Sequence, residues 1–219
     1  MTAVPASRPL LQRPWIVALL VCGFAVLTIA LTMTLLIKNI GAIMASQPIR
    51  MPIDAQAEYQ KSMARLNDAA DEYSRWVALG SAALWSVDVG RLDDANAFAH
   101  ELEALLVKYP SDWNYGNAVS KVHSTFGRLA LKRGDIELAR RELALAGASP
   151  GSPQMNTYGT NLSLARDLLA TGDPGARDAV LAHFDAIEKF WRMDGGALRV
   201  WREDVRAGHE PNFGAALLH

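Results

Sequence analysis

From Trp15 to Ile37 the chain runs 23 residues without a charge, and after Asp54 the apolar positions change to a helical stripe. Tyr59, Met63, Leu66, Ala70, Tyr73, Val77, Gly80 and Leu84 alternate by fours and threes, the spacing of one helix face. The first pattern predicts a transmembrane helix over 15–37. At ~1.5 Å per residue it would reach ~34 Å, against a hydrocarbon core of ~30 Å. It is longer than the ~7–15-residue apolar run of a cleaved signal peptide, and it ends in Leu35-Leu36-Ile37-Lys38 without a small-x-small site, so it reads as an uncleaved anchor. Residues 1–14 form a short basic tail. Residues 38–53, interrupted by Gly41, Pro48 and Pro52, read as a juxtamembrane connector. The second pattern, opened by Asp54 as an N-cap, predicts an extended helix over 54–75 that runs into the following domain.

Charge adds a direction. The four charged side chains before Asp54 (Arg8, Arg13, Lys38, Arg50) are all basic, and the basic tail favours a cytoplasmic N-terminus with the domain on the extracytoplasmic side, a single-pass arrangement of the bacterial inner-membrane type. Ala18, Cys22, Ala25 and Thr32 recur near one face of the apolar run, with Thr28 close by, so a homo-oligomer through this helix is one expectation. Another is self-association through residues 55–77, against which stands packing of that stripe on its own domain.

Residues 76–207 show no alternating run of β-branched residues, and prolines fall between helical patterns, which predicts an all-α domain. Three turns repeat one logic: Gly90-Arg91-Leu92-Asp93-Asp94-Ala95, Gly134-Asp135-Ile136-Glu137-Leu138-Ala139, and Gly172-Asp173-Pro174 with Ala179 further on. A glycine ends one helix, an acidic residue or proline starts the next, and an alanine admits close approach. On these residues the chain resembles the tetratricopeptide repeat (TPR) family, a helix pair of 34 residues with W-x-x-L-G in its first helix. Trp76, Leu79 and Gly80 match that signature, and Gly127, Gly134 and Ala139 match the spacing of the middle unit, with Leu143 and Ala146 continuing its inner stripe. The glycine-to-glycine separations of 44 and 38 depart from 34. The resemblance covers residues 76–191 and implies a TPR-like solenoid of about three helical hairpins that binds protein partners. Leu198, Trp201 and Val205 then mark a C-terminal capping helix, and residues 208–219 an irregular tail in which Phe213 tucks back or binds a neighbour.

The excess length sits in two connectors: 109–117 carries Tyr109, Trp113 and Tyr115 with Asn114 and Asn117, and 147–160 carries Tyr158 with Gln154 and Asn156. Long connectors in a compact domain tend to be functional, and rings with amides suit peptide recognition. The candidate partner contacts are Trp113, Asn114, Tyr115, Asn117, Gln154, Asn156, Tyr158 and Asn161; the alternative is that they only plug gaps between helix pairs.

Composition narrows the chemistry. Residues 54–219 carry 18 basic and 23 acidic side chains, so nothing favours nucleic acid. Cys22 is the only cysteine, which leaves the domain without thiolate chemistry. His100, His123, His183, His209 and His219 never pair at metal-binding spacing, Gly147-Ala148-Ser149-Pro150-Gly151 has the G-x-S-x-G spelling but reads as a proline loop with no strand before it, and Gly134-Asp135 and Gly172-Asp173 put carboxylates where a phosphate would need bare amides. The expectation is a protein with no catalytic site, metal or cofactor. It is a membrane-anchored scaffold or adaptor for a client peptide or a subunit of a membrane complex; the alternative is an accessory subunit held through its transmembrane helix.

Overall fold

The structure, a computed structural model, describes residues 22, 24–36 and 53–218. Nine α-helices follow residue 53: α1 (Ala55–Asn67), α2 (Glu72–Asp88), α3 (Leu92–Leu105), α4 (Tyr115–Lys132), α5 (Ile136–Gly147), α6 (Pro153–Tyr158), α7 (Ser163–Leu169), α8 (Pro174–Ile187) and α9 (Ala197–Ala207). No strand occurs among the described residues, so the domain is all-helical.

The transmembrane assignment is overturned. Among the described residues no helix is long and apolar enough to cross a membrane. A charge-free run states composition, whereas a span requires helical length. Residues 24–36 are the helical part of that run that the structure describes. The single-pass anchor, the inner-membrane location and the sidedness fall with it. The basic tail 1–14, residues 15–21, 23 and 37 of the apolar run, and all of the 38–53 connector but Ile53 lie outside the described residues.

The extended helix expected over 54–75 is two helices. Asp54 caps α1, its Oδ1 accepting from the Ala57 N–H at 3.0 Å. Four residues after α1 ends, Asp71 adopts an extended backbone and forms a capping box: the Ser74 N–H donates to Asp71 Oδ1 at 2.7 Å and Ser74 Oγ accepts from the Asp71 N–H at 3.1 Å. Helix α1 folds back on α2, and Leu66 joins Trp76 and Leu79 in one cluster, while Ala70, Tyr73 and Val77 of the sequence stripe are exposed. Helix α2 is buried on nearly every side, which its apolar run Ala82-Ala83-Leu84-Trp85 requires.

The turns after α2 and α4 are built alike. Gly90 and Gly134 have φ of +79° and +80°, and the next residue's N–H reaches back to a helix carbonyl, Arg91 to Ser86 at 2.8 Å and Asp135 to Ala130 at 3.0 Å. Only glycine takes this left-handed position without strain. Ala95 and Ala139 are fully buried behind the turns; in the third unit Ala176 takes that place, and Ala179, the sequence choice, is only partly buried.

Three helix pairs result: α2/α3, α4/α5 and α7/α8. Bonds between their first helices join Ser81 to Lys121, Asp88 to Arg128 and Arg128 to Asp167, and Ser120 of α4 meets Thr160 just before α7, at separations of 39–40 residues that rise together along the chain. Helices α2, α4 and α7 therefore lie side by side and parallel. The connectors between pairs share one end of the stack, and the glycine turns share the other. A second core of Phe184, Ile187, Leu198, Trp201, Val205 and Phe213 closes the C-terminal side. The tail from 208 is part of it: the Phe213 ring packs edge-on to Trp201 at 5.2 Å, and the Leu162 N–H donates to the Ala216 carbonyl at 2.8 Å.

Candidate protein-docking surface

At the connector end, the 106–114 segment is tied down before it reaches α4. Tyr109 stacks on Trp76 with ring centroids 4.7 Å apart and donates to Glu72 Oε1 at 3.1 Å. Tyr73 donates to Asp112 Oδ2 at 3.0 Å, and the Asn114 N–H to Asp112 Oδ1 at 2.7 Å. Tyr115, Gly116 and Asn117 are not loop residues; they form the first turn of α4. The second connector folds into the short helix α6, capped by Ser152 Oγ accepting from the Met155 N–H at 3.0 Å.

The two connectors are bonded to each other. Asn117 Nδ2 donates to Asn114 Oδ1 at 2.8 Å and to Gln154 Oε1 at 3.0 Å, while Asn117 Oδ1 accepts from Ser152 Oγ at 3.2 Å. Asn117 is 8% exposed, and this leaves neither of its amide protons without a partner. Ser149 Oγ donates to the Gly116 carbonyl at 2.8 Å. A Cβ on Gly116 would stand 2.0 Å from the Gly151 carbonyl oxygen, so the backbones meet where only glycine fits. Gly116→Ala is expected to cost about 1–3 kcal/mol, the range for overpacking, and to speed amide exchange across 147–155. Unchanged exchange there would refute this account of the contact.

Asn156 Oδ1 accepts from the Arg192 N–H at 3.1 Å, which joins the third connector to the second. Asn161 Oδ1 accepts from the Ser163 N–H at 3.0 Å, and its Nδ2 donates to the Leu218 carbonyl at 3.1 Å. Of the eight sequence candidates, then, the structure joins Asn114, Asn117 and Gln154 directly and places Asn156 and Asn161 as ties to neighbouring segments. Tyr115 is half-buried at the start of α4. Trp113 and Tyr158 keep their rings outward, at 54% and 75% exposure.

Sequence reasoning missed the polar line between the first helices. Arg128 is buried between Asp88 and Asp167. Beside it opens a cleft of about 410 Å³, lined by Asp88, Arg128, Lys132, Arg166, Asp167 and Thr171. The cleft is lined mainly by salt-bridged side chains, holds no histidine, and its one hydroxyl, Thr171 Oγ1, donates to the Leu168 carbonyl at 2.6 Å. Further along the same line, Lys121 Nζ donates to Ser81 Oγ at 2.9 Å. The signal for these residues is their 39–40-residue register, which becomes visible only when the helices are placed side by side.

Among the described residues the histidines do not converge. His123 Nδ1 meets Glu142 Oε2 at 2.8 Å between α4 and α5, His100 Nδ1 lies 3.5 Å from Glu103 Oε2 on α3, and His183 is enclosed in the core. Among the described residues no group of three or more His, Cys, Asp or Glu side chains is placed to hold a metal ion. Comparison of the chain with protein-family models, curated proteins and solved structures finds no match.

Proposed function

We propose that the helical stack is a TPR-like scaffold that docks a protein partner along its connector end, without chemistry of its own. The observation that carries this reading is the division of labour among the connector residues. Asn114, Asn117 and Ser152 hold the first two connectors as one rigid edge, while Trp113 and Tyr158 present large rings to solvent on that edge. Rigid aromatic anchors lose little conformational freedom on binding and bury much area, which is the make-up of interface hot spots. The 39–40-residue register sets a longer unit than the 34 residues of the TPR, so the proposal takes from that family the mode of use, a stack of hairpins offering an edge, and not its exact repeat.

Photo-crosslinking residues placed at 113 and 158, with Glu103 on α3 as control, test the proposal in cells. Both connector positions are expected to capture the same protein, and the control position is not. With that protein purified, Trp113→Ala and Tyr158→Ala each lower affinity by roughly 30-fold, the effect of losing about 2 kcal/mol at a hot spot. Crosslinks at 103 equal to those at 113 and 158, or affinities unmoved by both substitutions, would remove the basis for the docking edge.

A further inference from the structure

Lys121 lies one helical turn beyond Asn117 on α4, on the side that faces α2. Its stem occupies space that Gly80 leaves open: a Cβ on Gly80 would stand 2.5 Å from Lys121 Cδ and 3.3 Å from Lys121 Cβ. The methylenes thus lie across the α2 backbone, and the ammonium ends at Ser81. An ammonium has three protons to donate, and Ser81 Oγ is its one bonding partner here. No carboxylate forms an ion pair with Lys121, or with Arg65 on α1, among the described residues. The charge of Arg65, of like sign, also acts on Lys121. Burial first, then Arg65, pushes the Lys121 ammonium down to about 8.

Lys121 is part-buried, and a partly desolvated cation with no counter-ion opposes folding where a methionine would fill the same space without that cost. The position is therefore explained by something that arrives. We propose that Lys121, with Ser81 beside it and Arg65 on the adjoining helix, receives a carboxylate side chain of the docked partner, so that the partner's docking segment is acidic. The inference rests on the docking edge proposed above and names the chemistry of its occupant. Charge complementarity supports it. Residues 54–219 carry more acidic than basic side chains, so an acidic segment is repelled over most of the domain and accepted where two cations stand without carboxylates. That contrast fixes the register of the segment against Asn117 and Gln154, one turn away.

The test uses the full chain with a hexaglutamate peptide, hexaserine peptide and inorganic phosphate as probes at matched ionic strength. Hexaglutamate is expected to bind the wild type and to bind Lys121→Met at least about tenfold more weakly, the loss typical of a charge-assisted hydrogen bond. Lys121→Arg retains binding, and Arg65→Gln weakens it. Lys121→Met also melts a few degrees higher than the wild type, a result that a purely structural lysine would not give. Equal hexaglutamate affinity in wild type and Lys121→Met, a lower melting temperature for that variant, or phosphate binding as tight as hexaglutamate would each overturn the proposal. Crosslinks at 113 and 158 to a partner whose affinity ignores Lys121→Met would sink this inference while leaving the docking edge standing; loss of those crosslinks would sink the edge itself.

Discussion

Arg128→Met is expected to lower the stability of the domain by about 3–5 kcal/mol, the cost of removing one partner from a buried ion pair. Arg128 is 3% exposed and carries a charge that water no longer solvates. Its Nη2 and Nη1 donate to the two oxygens of Asp88 at 2.6 and 3.2 Å, and its Nε donates to Asp167 Oδ2 at 2.8 Å. One guanidinium thus joins α2, α4 and α7. Burial disfavours the charged form, but the Asp88 and Asp167 carboxylates outweigh that and hold Arg128 above its ordinary value. Methionine keeps much of the volume while leaving two half-buried carboxylates facing an apolar side chain. Asp167 retains Arg166 at 2.7 Å, so the α7 side of the cluster keeps part of its pairing. The measurement is the urea midpoint at constant slope. The triple variant Arg128→Met, Asp88→Asn, Asp167→Asn recovers most of the loss, because no buried charge then lacks a partner. A single-variant loss below about 1 kcal/mol, the range of exposed pairs, would show that this cluster does not hold the stack together.

The contrast between Arg128 and Gly90 shows what the sequence makes legible. Gly90 and Gly134 announce their turns because the requirement is local: a left-handed residue, then an acidic first turn, within six positions. The stripes of α8 and α9 are readable for the same reason, and Phe184, Ile187, Leu198, Trp201 and Val205 are all buried. The break at 68–71 is hidden because Leu66 before it and Gly80 and Leu84 after it are buried as one continuous stripe would require, although Ala70, Tyr73 and Val77 between them are exposed. The apolar run at 15–37 misleads in the opposite way, since its composition suits a span and no helix among the described residues is long and apolar enough to make one. At the connectors the residue types are informative and their employment is not. Asn117 reads as a free amide until Gln154, 37 residues on, is seen to take its proton. Lys121 reads as a solvated helix position until Gly80 and Ser81, some 40 residues earlier, are found beneath it.

Lowering the pH from 7.5 to 4 is expected to remove about 3 kcal/mol of stability through His183 alone. The side chain is 2% exposed, in the cluster formed by Leu143, Val180 and Phe184, and its Nδ1 donates to the Leu143 carbonyl at 3.1 Å. That bond fixes the proton on Nδ1 and leaves Nε2 buried with no hydrogen-bond partner. A second proton would place a positive charge there with nothing to receive it. Burial pushes His183 down to about 4 from 6.5, and the Leu143 carbonyl offsets only part of that. The sign follows from where the proton binds. In the unfolded chain His183 takes it up near pH 6.5, in the folded domain only near pH 4, so protons favour unfolding throughout that interval. The contribution is complete above pH 6.5, falls by up to about 1.4 kcal/mol per pH unit below it, and is gone once pH has fallen through 4. His183→Leu fills the site with an apolar side chain and removes the titration. Urea midpoints of wild type and variant from pH 7.5 to 4 therefore converge as the pH falls, or cross, because carboxylate effects are common to both and cancel in the difference. Two curves that stay parallel over this interval would mean that the enclosed ring is not held neutral, and that the α5–α8 contact opens to water on the acid side.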